Sequence, residues 1–418
     1  MSGDPAFAST RRLGDIAEVI PGFAFKSKDW CGSGIPVLKI KNIVGDGSID
    51  AGEVDCVPES LMNERLRRVL VRDGDILVAM TGATAGKVGR LRSAGQFLLN
   101  QRVAKLIPKS INPLFFWSVV SSSEYQHRFF RLADGSAQPN MSGSQLEGVE
   151  VPYPPISTQE KIAAILSVYD GLIENNTRRI KILEEMAQSL YREWFVKFRF
   201  PGYRHARFHD SPLGPVPEGW HVSRLDQLVN FQNEGAKAGD HLRERIYLPI
   251  ECILKKSLAV EEVRSWREAQ SSLHLFEVGD IVFGAMRPYF HKITVAPFKG
   301  VTRKTCFVLR SREPAYHAFS VLTLFQESTV SFANAHSKGA TIPYAVWPQA
   351  MDGLLIAMPP ANLAKEYEDV VGPMISEIGN TYFRNRNLRR TRDLLLPKLI
   401  SGELDVSELD IAVPEDTA

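Results

Sequence analysis

Two stretches of this sequence combine basic and polar residues with a complete lack of acidic ones. The first runs from Ile76 to Ile107 and the second from Ile281 to Arg312. Arg and Lys neutralise phosphates, and Arg, Gln and Asn can hydrogen-bond base edges, so these stretches favour DNA as a partner. The side chains expected to contact double-stranded DNA, in or beside these stretches, are Arg65, Arg67, Arg68, Thr81, Thr84, Lys87, Arg90, Gln101, Arg102, Arg287, Tyr289, Lys292, Arg303 and Lys304.

Catalytic patterns fail on spacing or residue type. The run from Gly82 to Lys87 is one residue too short for a phosphate-binding loop, and Val88 stands where that loop needs Ser or Thr. We find no clustered carboxylates with Lys, no metal-ligand spacing of His or Cys, and no nucleophile motif. The sequence therefore predicts a binding protein without a catalytic centre, a metal site or a cofactor of its own.

The distribution of charge along the chain is more informative about possible partners than the net charge of +2. The end of the chain after Gly402 is acidic and contains no basic residue, which balances the two basic stretches. Cys31, Cys56, Cys252 and Cys306 are scattered, which fits the reducing cytoplasm rather than a disulfide framework. No apolar run reaches about 18 residues, so no membrane partner is expected.

The sequence contains an internal repeat, in which matching residues are separated by a constant offset of 205 positions. Gly74-Asp75-Ile76 recurs as Gly279-Asp280-Ile281, and Pro154-Pro155 recurs as Pro359-Pro360. A 418-residue chain is long enough for two domains, and short apolar runs alternating with helical periods predict a mixed α/β fold in each copy. One helix is expected over Leu114–Phe130 in the first copy and one over Tyr316–Phe332 in the second.

A long helix follows each globular part. Apolar residues alternate at spacings of four and three, which is typical of a coiled-coil seam. Ser157 and Glu160 are the expected N-cap and capping-box residues of the first helix. The predicted seam residues are Ile162, Leu166, Tyr169, Ile173, Asn176, Ile180, Leu183 and Leu190 in the first helix and Tyr367, Val371, Met374, Ile378, Leu388 and Leu395 in the second.

The order of the parts predicts how the helices pair. The first helix leaves the first domain towards the second, and the second helix returns, so the helices should be antiparallel and the molecule pseudo-two-fold symmetric. Asn176 on the seam would fix the register, although a solvated Asn is the alternative. Thr381, Asn385 and Arg392 on the second seam predict looser packing there. The expected segments are a first globular domain at 1–153, a long helix at 154–200, a linker at 201–219, a second globular domain at 220–358, a long helix at 359–402 and an acidic tail at 403–418.

Several stretches resemble the specificity subunits of type I restriction–modification systems. They are Gly74–Gly82, Leu99–Val103, Gly135–Asn140, Gly279–Phe283 with Arg287-Pro288-Tyr289, Pro154–Ile173 and Leu396–Gly402. The resemblance implies two target-recognition domains that read a bipartite DNA site, with helices that set the spacer and dock two methyltransferase subunits. Restriction subunits would join that complex, and S-adenosylmethionine, ATP and magnesium would belong to the partners.

Two other functions stay open at this point. The chain could be a self-sufficient DNA-modifying enzyme with an unrecognised site, or a coiled-coil scaffold whose domains bind protein or carbohydrate. The sequence does not reveal which bases are read, how long the spacer is, which base is methylated, or whether restriction is intact. It also does not separate base contacts from phosphate contacts, because the positions of side chains on a folded surface decide that.

Overall fold

A computed structural model describes residues 9–44, 47–52, 54–133, 140–260, 262–270, 272–339 and 341–413. The chain forms two compact units. Unit 1 comprises Met1–Leu172 and Arg389–Ala418, and unit 2 comprises Ile173–Leu388. The unit boundaries cut through both long helices, so each unit contains a globular part and segments of both helices. The family-like run at 135–139 lies outside the described residues.

Unit 1 is a mixed α/β structure. Its five-stranded sheet has the order β2-β10-β7-β8-β4, its four-stranded sheet has the order β5-β3-β9-β6, and β1 pairs with β11. The strands are β1 (Thr10–Arg12), β2 (Ala17–Pro21), β3 (Ile35–Leu38), β4 (Gly47–Ser48), β5 (Asp55–Val57), β6 (Leu70–Val71), β7 (Ile76–Ala79), β8 (Val88–Arg90), β9 (Phe97–Leu99), β10 (Val103–Pro108) and β11 (Glu150–Pro152). The helices are α1 (Leu13–Ile16), α2 (Glu64–Arg68), α3 (Pro113–Val120), α4 (Ser123–Ala133), α5 (Gly143–Glu147) and the first part of α6 (Ile156–Tyr191).

Unit 2 has the same class of fold. Its two four-stranded sheets have the orders β15-β22-β19-β20 and β16-β18-β21-β17, and three two-stranded ladders accompany them. The strands are β12 (Phe208–His209), β13 (Val216–Pro217), β14 (His221–Arg224), β15 (Val229–Phe231), β16 (Gly235–Lys237), β17 (Ile246–Tyr247), β18 (Ser272–Phe276), β19 (Ile281–Gly284), β20 (Ile293–Val295), β21 (Gly300–Arg303), β22 (Cys306–Ser311), β23 (Ser337–Lys338), β24 (Tyr344–Ala345) and β25 (Leu355–Met358). The helices are α7 (Leu225–Leu228), α8 (His317–Leu324), α9 (Glu327–Ala335) and most of α10 (Ala361–Ser401).

The internal repeat predicted from the sequence is confirmed by the sheet topology. The order β2-β10-β7-β8 in unit 1 returns as β15-β22-β19-β20 in unit 2, with every pairing antiparallel in both. The second sheets share the order β6-β9-β3 and β18-β21-β17. They differ at both edges, because β5 extends the sheet of unit 1 beside β3, while β16 extends the sheet of unit 2 at the opposite edge, beside β18. The two copies therefore share a framework and differ at the edges of the second sheet.

The long helices pair antiparallel within each unit. In unit 2, Tyr191 near the end of α6 lies against Tyr367 near the start of α10, with ring centroids 6.4 Å apart. In unit 1, the order is the same, since Asp170 of α6 binds Arg392 near the end of α10 at 2.6 Å. The Asp170 carboxylate also accepts a hydrogen bond from the Trp117 indole at 2.9 Å, which ties the helix pair to α3.

The structure places the predicted seam residues at two levels of burial. Ile162, Leu166, Tyr367, Val371 and Ile378 are buried. The remaining members are half-buried, and they are Tyr169, Ile173, Asn176, Ile180, Leu183, Leu190, Met374, Leu388 and Leu395. Of these, Asn176 is also hydrogen-bonded through its side chain. Burial is not confined to the first turns of each helix, since Ala187, Thr381 and Asn385 are buried as well.

The prediction of looser packing in the second helix is wrong at its three polar positions. Thr381 is fully buried, and its hydroxyl donates to the Glu377 carbonyl at 2.7 Å. Asn385 accepts a hydrogen bond from the Asn176 side chain at 2.8 Å. Arg392 makes the ion pair with Asp170 described above. Each polar group has a matched partner, so these layers are specific contacts, and a buried polar pair of this kind favours one register.

Some helix boundaries differ from the prediction. The first long helix begins at Ile156, so Ser157 lies inside its first turn and is not the N-cap. Gln159 makes the connection instead: it is buried, accepts from the Asn112 amide at 2.9 Å and donates to the Pro154 carbonyl at 2.8 Å. The regular helix ends at Tyr191, where a wider turn follows, rather than near the predicted end at residue 200.

Two other single helices of the prediction are pairs of helices. Residues 114–130 form α3 and α4, and residues 316–332 form parts of α8 and α9. The predicted linker at 201–219 contains the β12–β13 ladder, in which Val216 is buried in the core of unit 2. Apolar periodicity continues across these breaks because both members of each pair bury a face against the same core.

Glu184 on α6 anchors a loop of unit 2 and gives a testable pH dependence. Its carboxylate is 8% exposed and accepts hydrogen bonds from the Ser257 hydroxyl and the Leu258 amide, both at 2.7 Å. Burial raises the pKa of Glu184 above its ordinary 4.5. The folded chain therefore binds this proton more tightly than the unfolded chain, and the contribution of Glu184 to the free energy of unfolding falls as pH rises through the folded pKa.

We expect Glu184→Gln to remove this dependence. The free energy of unfolding of the wild type minus that of the variant should decrease as the pH rises above the ordinary pKa of a glutamate. Urea unfolding at a series of pH values measures the difference. A difference that stays flat over the series would contradict the raised pKa.

Candidate nucleic-acid interface

Three predicted DNA-contacting residues of unit 1 meet in one cleft. Arg65, Arg68 and Gln101 line a surface cleft of about 580 Å³, together with Phe23 and Glu18. Arg65 lies over the Phe23 ring, with its guanidinium carbon 5.9 Å from the ring centroid. Guanidinium and amide groups bind phosphates and base edges, and aromatic rings stack on base faces. The cleft is therefore a candidate interface of unit 1.

Local structure explains why these side chains face outward. Asn63 caps the short helix α2 by accepting a hydrogen bond from the Leu66 amide at 3.0 Å, and Leu66 is buried in the core. With Leu66 fixed inward, Arg65, Arg67 and Arg68 project to solvent. Arg67 is exposed on the same helix but does not line the cleft.

Gln101 is held at the other wall of the cleft. Its amide donates to the Phe23 carbonyl at 2.8 Å, which fixes the turn after β9 against the segment after β2. A Cβ on Gly22 would lie 2.2 Å from the Asn100 carbonyl oxygen, so only glycine allows this close approach. Arg102 beside it is exposed and lies outside the lining of the cleft.

The other predicted residues of the first stretch are part of the framework around β7 and β8. The Lys87 ammonium donates to the Val44 carbonyl, and the Arg90 guanidinium donates to the Gly74 carbonyl, both at 3.1 Å. The hydroxyls of Thr81 and Thr84 are buried without a hydrogen-bond partner among the described residues. These four residues do not converge with the cleft.

In unit 2, the predicted residues divide between a turn and a strand end. Arg287 is half-buried and Tyr289 is 50% exposed, in the turn between β19 and β20. Arg303 at the end of β21 is half-buried, and Lys304 after it is exposed. The Lys292 ammonium is held by the Ile250 carbonyl at 2.8 Å, and burial lowers its pKa. Lys292 therefore supports the turn, as Lys87 supports the corresponding region of unit 1.

Sequence reasoning missed aromatic residues that pair with cations. In unit 1, Phe23, Phe25 and Trp30 form a row with centroid distances of 5.1 and 5.5 Å, and the Lys39 ammonium lies 3.5 Å from the Trp30 centroid. The contacts of this row depend on folding because its members are not adjacent in the sequence. An adjacent example in unit 2 is the Trp266-Arg267 pair, whose neighbouring aromatic and basic residues were a visible signal.

Other kinds of site find no support in the described ranges. Among those residues, no group of three or more His, Cys, Asp or Glu side chains could hold a metal ion. None of the described helices is long and apolar enough to cross a membrane. Cys31, Cys56, Cys252 and Cys306 are free thiols.

Comparison with known proteins points to one family. Residues 8–185 match the model of the type I restriction modification DNA specificity domain. The chain is 27% identical to the type I restriction enzyme MjaIX specificity subunit of Methanocaldococcus jannaschii, over 96% of this chain and 94% of that protein. The chain is thus similar over nearly its whole length to a type I restriction–modification specificity subunit.

Further proteins similar to this chain are more distant or shorter matches. The EcoDI specificity subunit of Escherichia coli is 22% identical over 65% of this chain and 66% of its own length. The crystal structure of the type I restriction-modification system S subunit from M. genitalium covers 94% of this chain and 95% of its own length, at 15% identity and a TM-score of 0.49.

The cleft of unit 1 gives a direct prediction. In the complex with a methyltransferase that is proposed below, Arg65→Ala should weaken DNA binding, and the slope of affinity against salt should fall by about one if Arg65 contacts a phosphate. If it contacts a base instead, discrimination at one position should fall by about 1–3 kcal/mol with little change in the slope. Titration of labelled duplexes at several salt concentrations measures both.

Arg131 provides the control, because it is exposed on α4 of the same unit and does not line the cleft. Arg131→Ala should change affinity by less than Arg65→Ala. Equal effects of the two substitutions would show that only general surface charge matters at the cleft.

Proposed function

We propose that each of the two globular parts reads one half of a bipartite DNA site. The observation that carries the proposal is the repeated strand order in units 1 and 2, which places different side chains on one framework. Duplex DNA has two-fold symmetry, so a duplicated chain suits two half-sites of opposite orientation. The half-sites should differ in sequence because the surface residues of the two units differ. In this proposal, the globular parts lie at 1–153 and 220–358.

The long helices are proposed to set the spacer between the half-sites and to dock two methyltransferase subunits. Matched polar pairs such as Asn176 with Asn385 support a fixed register within the helix pair. Exposed apolar side chains on the outer face of α6 support a docking role. Val168 is 60% exposed and Leu172 46% in unit 1, while Ile182 is 49% and Met186 45% in unit 2. Apolar side chains that recur at helical spacing favour a partner protein.

The partners of the proposed complex are double-stranded DNA, two methyltransferase subunits and restriction subunits. S-adenosylmethionine, ATP and magnesium would bind to those subunits rather than to this chain. The complex would act in the cytoplasm, where cellular DNA is accessible. Catalysis of DNA adenine methylation and ATP-dependent cleavage would then belong to the assembly, with this chain supplying the sequence preference.

The test uses the chain co-purified with its methyltransferase partner. Methylation of genomic DNA should concentrate at one split sequence with an unread spacer, and DNA affinity should fall steeply with salt. Methylation that ignores sequence would overturn the proposal. Turnover by the highly purified chain alone would instead show a self-sufficient enzyme. Lack of DNA binding by the complex would favour a scaffold.

A further inference from the structure

A strained turn in unit 2 holds an aromatic side chain out to solvent. The turn comprises residues 286–291 between β19 and β20, and we call it the unit 2 turn. Arg287 and His291 both have left-handed backbone conformations, with φ of 51° at each, and they flank the short helical turn Pro288–Phe290. Residues other than glycine rarely adopt this backbone conformation, because their Cβ atom crowds the following carbonyl oxygen. Strain of this kind persists only where the surroundings enforce it, and it clusters at functional sites.

Unit 1 contains the same turn without the strain. Residues 81–86 lie 205 positions earlier, and we call them the unit 1 turn. Gly82 and Gly86 occupy the two left-handed positions, with φ of 74° and 81°. The surrounding hydrogen bonds also correspond, since the Ala79 amide donates to the Lys87 carbonyl in unit 1 and the Gly284 amide donates to the Lys292 carbonyl in unit 2. The backbone shape is therefore kept in both units, although unit 2 has residues that oppose it.

Anchors on both sides keep the unit 2 turn in place. The Arg287 amide donates to the Pro343 carbonyl at 2.7 Å. The His291 side chain is 3% exposed, and its Nε2 lies 3.0 Å from the Phe325 carbonyl oxygen. Lys292 beneath the turn is held by the Ile250 carbonyl. These contacts fix the turn in place. The turn therefore cannot relax by local movement, and the strain at Arg287 remains.

The exposed side of this platform is aromatic and basic. Tyr289 is 50% exposed at the tip, and Ile342 and Tyr344 beside it are 40% and 38% exposed. The Tyr344 hydroxyl donates to the Met286 sulfur at 3.1 Å, which joins the two segments. The Phe290 ring lies 4.8 Å from the Tyr289 ring and has the Lys255 ammonium 4.7 Å from its centroid. No acidic residue occurs from Ile281 to Arg312. Glu327 of α9 lies beside the turn, but its carboxylate is paired with the Lys256 ammonium at 3.1 Å and lies 3.4 Å from His291 Nδ1. Since this carboxylate is paired, the platform suits an anionic partner with flat apolar faces.

We propose that Tyr289 is a wedge residue that packs its ring against a nucleobase and opens one base step in the half-site read by unit 2. Arg287 would contact the adjoining phosphate or base edge from the same turn. Rings and apolar side chains presented on rigid backbone open base steps in this way, and stacking on an aromatic ring tolerates any base. In the unit 1 turn, Thr84 stands at the position of Tyr289, so the wedge is specific to unit 2. This inference rests on the proposed DNA-reading function and adds how one half-site is engaged.

The first experiment compares Tyr289→Ala with Tyr289→Phe in the complex with the methyltransferase. Duplexes carry the methylated site, once mapped, with 2-aminopurine placed at successive positions of each half-site. The wild type should increase 2-aminopurine fluorescence at one step of the unit 2 half-site. Tyr289→Phe keeps the ring and should preserve that signal, while Tyr289→Ala should abolish it and weaken binding at least about tenfold.

The second experiment uses the glycine that unit 1 already has. Arg287→Gly removes the strain, so the thermal unfolding midpoint of the variant should be equal to or higher than that of the wild type. Affinity for the mapped site should nevertheless fall, because the guanidinium is lost. A variant that is less stable, or one that binds DNA as well as the wild type, would overturn the argument that the strained arginine is kept for DNA.

The outcomes separate this inference from the proposed function. If the wild-type complex methylates one split sequence but shows no fluorescence change at any step of the unit 2 half-site, the wedge is wrong and the recognition function stands. An equal loss of signal in Tyr289→Phe and Tyr289→Ala would also overturn stacking, since the hydroxyl would then be the essential group. If the wild-type complex shows no sequence preference, the proposed DNA-reading function itself is wrong.

Discussion

Seven residues inserted into each long helix should lengthen the unread DNA spacer by about three base pairs. Seven helical residues add about 10 Å, and each base pair rises by about 3.4 Å. The insertions belong directly after Asn176 in α6 and directly before Asn385 in α10, because these residues face each other in the antiparallel pair. A complete heptad in each helix preserves the seam on both sides of the insertion. Methylome sequencing of cells carrying the altered complex measures the new spacer.

The control for this prediction is the same insertion in α6 alone. It leaves Asn176 opposite Asn385 but shifts every layer of α6 beyond the insertion relative to α10, so the variant should lose stability and site-specific methylation. The paired insertion should leave the sequences of both half-sites unchanged. Full methylation activity with an unchanged spacer would contradict the proposal that the helices set the length of the spacer.

Tyr367→Ala should be among the most destabilising single substitutions in unit 2. Tyr367 is fully buried where α10 meets α6, and its ring centroid lies 4.7 Å from that of Phe195 and 5.6 Å from that of Trp194. Removing a buried aromatic ring leaves a cavity, so we expect a loss of about 3–5 kcal/mol in the free energy of unfolding. Urea unfolding followed by tryptophan fluorescence measures the change, because Trp194 and Trp220 report on this core.

Tyr367→Phe is the matched control. It keeps the ring and removes only the hydroxyl, which donates to the Ala187 carbonyl at 3.1 Å. The expected loss is about 1 kcal/mol, the usual net contribution of one hydrogen bond. Equal losses in the two variants would mean that the hydroxyl, rather than ring packing between the helices, stabilises this junction.

Patterns that repeat along the chain were predictable from the sequence. The 205-residue offset is visible in Gly74-Asp75-Ile76 and Gly279-Asp280-Ile281, and the structure shows both runs leading into matching strands, β7 and β19. Apolar spacing predicted both long helices because heptads report directly which face is buried. The ends of the helices were less predictable, as Ser157 shows, since the choice of cap depends on neighbouring segments such as the one that contains Asn112.

The candidate interface was predictable only in part. Arg65, Arg68 and Gln101 were identified as basic or polar residues of the right type. Their meeting in one cleft depends on the hydrogen bond from the Gln101 amide to the Phe23 carbonyl, which joins segments far apart in sequence. Lys87 and Lys292 illustrate the opposite case. Both have the right charge for DNA, yet each ammonium is occupied by a backbone carbonyl. Composition cannot distinguish a charge that faces solvent from one that supports a turn.

The sequence by itself determined the duplication, the fold class, the two long helices and the family, because each depends on residue type and spacing along the chain. The tertiary structure alone decided which polar seam residues pair, which basic residues stay accessible, and where the backbone is strained. Those features depend on distances between segments far apart in sequence. The turn at Arg287 shows the difference most clearly: its left-handed conformation is imposed by Pro343, Phe325 and Ile250, and nothing in the local sequence of Arg287 predicts it.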